Sequence, residues 1–149
     1  MWLAFFLLIN FSALGIGSWL MNSGPTSDWY LTLNKAPWTP AGWVFGAAWT
    51  TIMVCFSIYL SYLLNAKATD TFWLLFIIQF VLNVSWNYVF FNQHAIGFGL
   101  IVIVLLTVVV GYYLFNFLSE MKLKSLLIAP YFVWLLIATS LNAYSYLKN

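Results

Sequence analysis

Every charged side chain in this 149-residue chain falls outside its long apolar runs. The charges are Asp28, Lys35, Lys67, Asp70, Glu120, Lys122, Lys124 and Lys148. Around them lie five apolar segments, at residues 2–21, 43–64, 72–91, 96–118 and 126–147. Each has about 20 residues, the length that a hydrocarbon core of ~30 Å demands of a spanning helix. No water is present at that depth to satisfy backbone N–H and C=O groups, so each segment crosses as a helix. The fold class is therefore all-α, an integral membrane bundle of five transmembrane helices forming a single domain over residues 1–149. Composition agrees, because 64% of residues are hydrophobic and only 5% charged, far from the mix of a soluble domain.

The first run has the small residues Ala13, Gly15 and Gly17 towards its end, as a signal peptide does. No lysine or arginine precedes it, and it is long enough to span, so it reads as a retained first helix. Lys67, Lys122 and Lys124 fall on the side of the N-terminus and Lys35 and Lys148 on the other, a margin that favours a cytoplasmic N-terminus. A net charge of +2, scattered along the chain, excludes a nucleic-acid surface. The lone Cys55 forms no intrachain disulfide.

The connections are short except the first. Residues 22–40 have room to fold over something, which makes them a candidate lid; a solvated spacer is the plainer alternative. The loop leads into a stretch from Trp29 to Thr50 that holds Trp29, Trp38, Trp43 and Trp49. Pro37 and Pro40 stop a helix from running through it. Trp43, at the start of the second span, fits an aromatic belt at the membrane interface. Gly42 and Gly46 make a GxxxG pair, and Ala13 and Gly17 a looser match; both spacings allow helices of one chain to approach closely.

No acid, lysine or arginine lies within a span, so an ion-coupled transporter of the usual kind lacks its parts. The single histidine, His94, excludes an intramembrane bis-histidine haem site within one chain, and there is no ligand set for zinc. The uncharged polar residues fall on stripes. Gln79, Asn83, Trp86, Asn87 and Phe90 share one face of the third span. Tyr131, Trp134, Ala138 and Asn142 share a face of the fifth, and Gly46, Trp49, Thr50, Met53 and Ser57 a face of the second. Such stripes serve as glue between membrane helices. Together they also describe a pocket, with Trp49, Trp86 and Trp134 as walls and Asn83, Asn87 and Asn142 as polar anchors for a flat hydrophobic molecule.

Four blocks carry a resemblance: Trp29-Tyr30, PWTPAGWVFGAAWT from Pro37, QFVLNVSW from Gln79 and PYFVWLLIATSLN from Pro130. In this order they resemble the TspO/MBR family, the tryptophan-rich sensory proteins related to the mitochondrial translocator protein. The family usually has a second proline where this chain has Ala41, and Ser85 and Asn87 make the third-span face more polar than is usual there. The resemblance implies a homodimer in the lipid bilayer, expected here in a bacterial cell membrane. It implies binding of porphyrins, with protoporphyrin IX or a haem-like tetrapyrrole as ligand rather than as a required cofactor, and of sterols or other flat hydrophobic molecules. Matched by motif, the ligand-binding residues would be Trp29 and Trp38 on the lid, Trp49, Asn83 and Trp86, then Trp134 and Ala138. Some bacterial relatives are reported to degrade protoporphyrin in light, which would give Trp49 and Trp134 a catalytic, photooxidative role. The C-terminus also carries a weak sterol-type pattern, Leu141, Tyr144 and Lys148, which an aromatic belt with a snorkelling lysine explains equally well.

Overall fold

The computed structural model describes residues 1–149 and contains helices and turns but no strand. Helix α1 spans Trp2–Leu20, a short α2 spans Asp28–Thr32 in the first loop, and α3 spans Gly42–Ala66. Helix α4 covers Asp70–Asn87 and widens into a π-helical turn over Tyr88–Asn92. Helix α5 covers Ile96–Asn116, α6 Leu118–Met121 and α7 Ala129–Lys148. Helices α1, α3, α4 and α5 are each long and apolar enough to cross a membrane. Helix α7 makes the fifth crossing, its hydropathy lowered by its own polar stripe.

Local chemistry sets the ends of these helices. The Ser27 hydroxyl accepts from Tyr30 N at 3.2 Å, and Thr69 Oγ1 from Phe72 N at 3.2 Å, while Asp28 and Asp70 sit in the first turns. Both pairings satisfy N–H groups that a helix start leaves free, and the acids complement its dipole. Pro130 occupies the first turn of α7, where its missing N–H costs nothing. Asn22 and His94 turn the chain at positive φ, 54° and 56°.

Around the bundle α3 packs on α1, α1 on α4, α4 on α5 and α5 on α7, and α7 closes the ring against α3. Two halves differ in filling. The end that carries the N-terminus is solid. There Phe6 packs edge to face with Phe72 and Phe76, Trp73 does so with Phe76, and Trp2 lies tilted against Trp73 at 6.0 Å. Tyr59 Oη donates to Tyr113 O at 2.9 Å, and Tyr113 Oη donates to Phe72 O at 2.9 Å, tying α3, α5 and α4 together. Lys67 pairs with Glu120 at 3.1 Å on the rim of this end. A hydrogen bond from Ser119, and then the one from Lys67, hold the Glu120 carboxyl below the usual carboxylate range. The opposite end, under the first loop, is hollow.

The span boundaries shift by one to three residues, and the connection between the fourth and fifth differs most from that expected. The fourth helix stops at Asn116 rather than residue 118, and the fifth starts at Ala129 rather than 126. Between them the chain makes α6 and a 3-10 turn over Lys122–Leu127, bent 71° from α7. Leu123 and Leu126 are exposed there beside Lys122 and Lys124, the pattern of a segment lying along the membrane interface. Apolar residues that read as membrane core thus belong to its surface.

Candidate functional site

The hollow end holds a cavity of about 590 Å³. Its walls come from α1, α3, α4 and α7, and its roof from the loop residues Pro25, Tyr30, Lys35, Thr39 and Pro40. Trp49, Asn83, Trp86, Trp134 and Ala138 all line it, so three of the expected stripes converge on one space. The stripes do not end there. Towards the filled half, Met53, Ser57, Gln79 and Tyr131 are buried in the core. Gln79 Nε2 donates to Tyr131 Oη at 2.7 Å, and Asn10 Nδ2 to Ser57 Oγ at 2.8 Å, forming the glue between helices. One periodicity therefore serves packing at one depth and a cavity at the other.

The aromatic wall is held rigidly. Trp86 stacks on Phe90 at 5.1 Å and 16°, and its Nε1 donates to Asn142 Oδ1 at 3.1 Å. Asn142 Nδ2 in turn donates to Ile96 O at 3.0 Å. Asn142 is thus a clamp joining α4, α5 and α7, with its oxygen and one of its two N–H donors engaged. Gly99 of α5 makes room for it: a Cβ there would lie 3.2 Å from both Asn142 Oδ1 and Phe90 Cδ2. Trp49 meets Tyr131 edge to face at 5.9 Å, and Phe45 meets Trp134 at 5.4 Å. The Asn83 side-chain amide makes no hydrogen bond within the protein although the residue is 5% exposed, and it faces the cavity. Trp134 Nε1 is likewise buried without an acceptor.

The paired glycines have a different role from the close approach expected of them. Nothing lies within 4 Å of a Cβ built on Gly42 or Gly46, and both line the cavity. Their missing side chains widen it. Gly17 does allow a close approach, with Asn87 Nδ2 2.7 Å from its notional Cβ.

The loop covers the cavity without presenting its tryptophans to it. Trp29 stacks on His94 at 4.1 Å and 10°, and meets Phe90 edge to face at 5.6 Å. Trp38 is 54% exposed, donates through Nε1 to Ser140 Oγ at 3.1 Å and packs on Tyr144 at 5.4 Å. Asn34 N donates to Asn149 Oδ1 at 2.9 Å, and Asn34 Nδ2 to Lys148 O at 3.1 Å. These contacts pin the loop to the α4–α5 connection and to the end of α7. Trp29 and Trp38 are clasps, and Tyr30 and Lys35 are among the loop residues that line the cavity in their place. Burial raises the Tyr30 phenol pKa, keeping it neutral. Of the sterol-type pattern, Leu141 lines the cavity, Tyr144 packs against Trp38, and Lys148 is exposed at the helix end. Trp43 is 76% exposed, in keeping with a place in the aromatic belt.

The fold and site define a five-helix membrane protein with an aromatic cavity, roofed by a pinned loop and of the size and lining of a small-molecule site. The family model for the TspO/MBR family matches residues 2–147, and the chain belongs to that family. It is 32% identical over 139 residues to the tryptophan-rich protein TspO of Chlorobaculum tepidum, covering 87% of this chain and 85% of that one. It is 32% identical over 117 residues to the TspO protein of Bacillus cereus, covering 76% of each chain. To the human translocator protein it is 30% identical over 121 residues, covering 76% of this chain and 70% of that one. The chain is a multi-pass membrane protein, and its bacterial relatives support a bacterial membrane as its location.

Proposed function

We propose that this protein is an integral-membrane receptor for porphyrins, protoporphyrin IX among them, and for related flat hydrophobic molecules, which it senses or passes on. The cavity carries this reading. Its volume lies within the roughly 300–1,000 Å³ of small-molecule sites, its walls include Trp49, Trp86, Phe90 and Trp134, and Asn83 offers an uncommitted amide. Indole faces stack on conjugated rings, and a few oriented polar groups set the ligand's pose. Titration of the purified protein with protoporphyrin IX in darkness, followed by tryptophan quenching, tests it. Saturable quenching that weakens on Trp86→Ala is the expected result; quenching that never saturates refutes the reading.

A second reading draws on Trp49 and Trp134, which line the same cavity from α3 and α7. Under light and dioxygen, a bound porphyrin and these indoles would react together, making the protein a porphyrin-degrading enzyme. Illuminating the titrated sample separates the two readings. If Trp49→Phe and Trp134→Phe bleach bound porphyrin as fast as the wild type, the indoles have no such role. The assembly that accompanies either reading is a homodimer, which would sediment with twice the 17.1 kDa of one chain plus bound detergent.

A further inference from the structure

The eight charged residues are unevenly placed with respect to the cavity, and Lys35 alone lines it. Its Nζ donates to Tyr30 O at 2.8 Å and to Leu31 O at 3.3 Å, and sits 4.8 Å from the centroid of the Tyr30 ring. An ammonium has three N–H donors, so two close the last carbonyls of α2 and one is left over. No carboxylate lies within 4 Å of the ammonium. The protein's single ion pair is Lys67–Glu120, at the opposite end of the bundle, and Asp28, the one acid on the loop side, makes no ion pair. A half-buried cation with a spare donor therefore stands at the roof of a cavity whose other lining residues are all uncharged. Low-dielectric walls strengthen the field such a charge projects into the cavity.

We propose that Lys35 is a carboxylate-binding residue, so that the cavity selects flat apolar molecules bearing an acid at one end and orients that acid towards the loop. The inference rests on the reading of the cavity as a site for flat hydrophobic ligands, and adds their charge and their polarity of insertion. The ring system lies against Trp49, Trp86 and Trp134, and the carboxylate meets the ammonium beneath Tyr30. Capping of α2 accounts for two of the three donors and is compatible with the third meeting a ligand.

Two probe pairs test this on the full-length protein in detergent: protoporphyrin IX with its dimethyl ester, and pyrenebutyric acid with its methyl ester. Each is titrated against wild type, Lys35→Met, Lys35→Arg and, as a control outside the cavity, Lys148→Met. Lys35→Met is expected to weaken the acids about tenfold, or 1.4 kcal/mol, and the esters less than about twofold. Lys35→Arg keeps the discrimination and Lys148→Met leaves every probe unchanged. Equal losses for acid and ester, or no loss for either, overturn the proposal. Charge-blind porphyrin binding overturns it while leaving the porphyrin receptor intact. Discrimination by the pyrene pair without any porphyrin binding supports it and removes the porphyrin reading. Binding of neither pair overturns both. If Lys35→Met does not fold, the wild type decides through salt. Shortening the Debye length from about 10 Å to about 3 Å weakens the acids selectively if the proposal holds, and acids and esters alike if it does not.

Discussion

Filling the cavity from Gly46 separates what the bundle needs for stability from what it needs for binding. Nothing stands within 4 Å of a Cβ at this position, and the residue lies on the cavity side of α3. Gly46→Leu removes the cost of glycine in a helix interior, about 0.8–1 kcal/mol, and covers part of the apolar wall, for which full burial of a leucine would bring about 1.5–3 kcal/mol. A net stabilisation of about 1–2 kcal/mol is expected. Its side chain takes space from a cavity of about 590 Å³ beside Trp49, so ligand affinity should fall by tenfold or more. Gly99→Ala is the counterpart. Its methyl would press on Asn142 and Phe90, both already engaged with Trp86. Overpacking costs about 1–3 kcal/mol, which outweighs the gain in helix propensity and lowers stability. Thermal unfolding in detergent and dark porphyrin titration measure the two effects. A Gly46→Leu protein that unfolds earlier than wild type, or binds as tightly, would refute the account of these glycines as cavity-forming.

Trp86→Phe keeps the stacking on Phe90 but leaves Asn142 Oδ1 without its donor, at a cost of about 1–3 kcal/mol to be read from thermal unfolding. Asn149→Ala removes the amide that accepts from Asn34 N and donates to Asn34 O, loosening the loop from the C-terminus; stability should change by less than about 1 kcal/mol, while stopped-flow dissociation of a bound ligand should quicken. The lowered pKa of Glu120 implies a contribution to stability that is present above the ordinary carboxylate range and is lost as pH falls through the lowered value. Because the pair is exposed, the effect should be small and should shrink in high salt as the Lys67 part is screened, and a Glu120→Gln protein should lack it.

Helix number and type were legible because charges and prolines punctuate the chain and lipid allows an isolated apolar run no other structure. The convergence of Trp49, Asn83, Trp86, Trp134 and Ala138 was legible for the same reason, since a helix converts spacing into a shared face. Depth along a face was not. The stripe that holds Asn83 also holds Gln79, and only the packing of Tyr131 from α7 puts one in the core and the other in the cavity. The loop had no period to read, so its tryptophans and its lysine could not be assigned a direction. A weak signal for Lys35 did exist: a lysine just past a short helix, before a proline, is a common partner for the last helical carbonyls. The sequence places the start of the fifth helix too early because leucines at an interface and leucines in a core look alike in one dimension.

The bundle's two unequal halves have a thermodynamic consequence. A ligand seated in the hollow half supplies the apolar contacts that Tyr59, Tyr113 and the phenylalanines supply in the other, and the unfolded chain offers no such site. Occupancy then acts as a mass-action load on the folded state. Stability rises by about 2.7 kcal/mol at a hundred times the dissociation constant and continues to climb with the logarithm of free ligand. On the proposed reading, the melting temperature of this protein would follow the membrane's hydrophobic solutes as well as its own sequence.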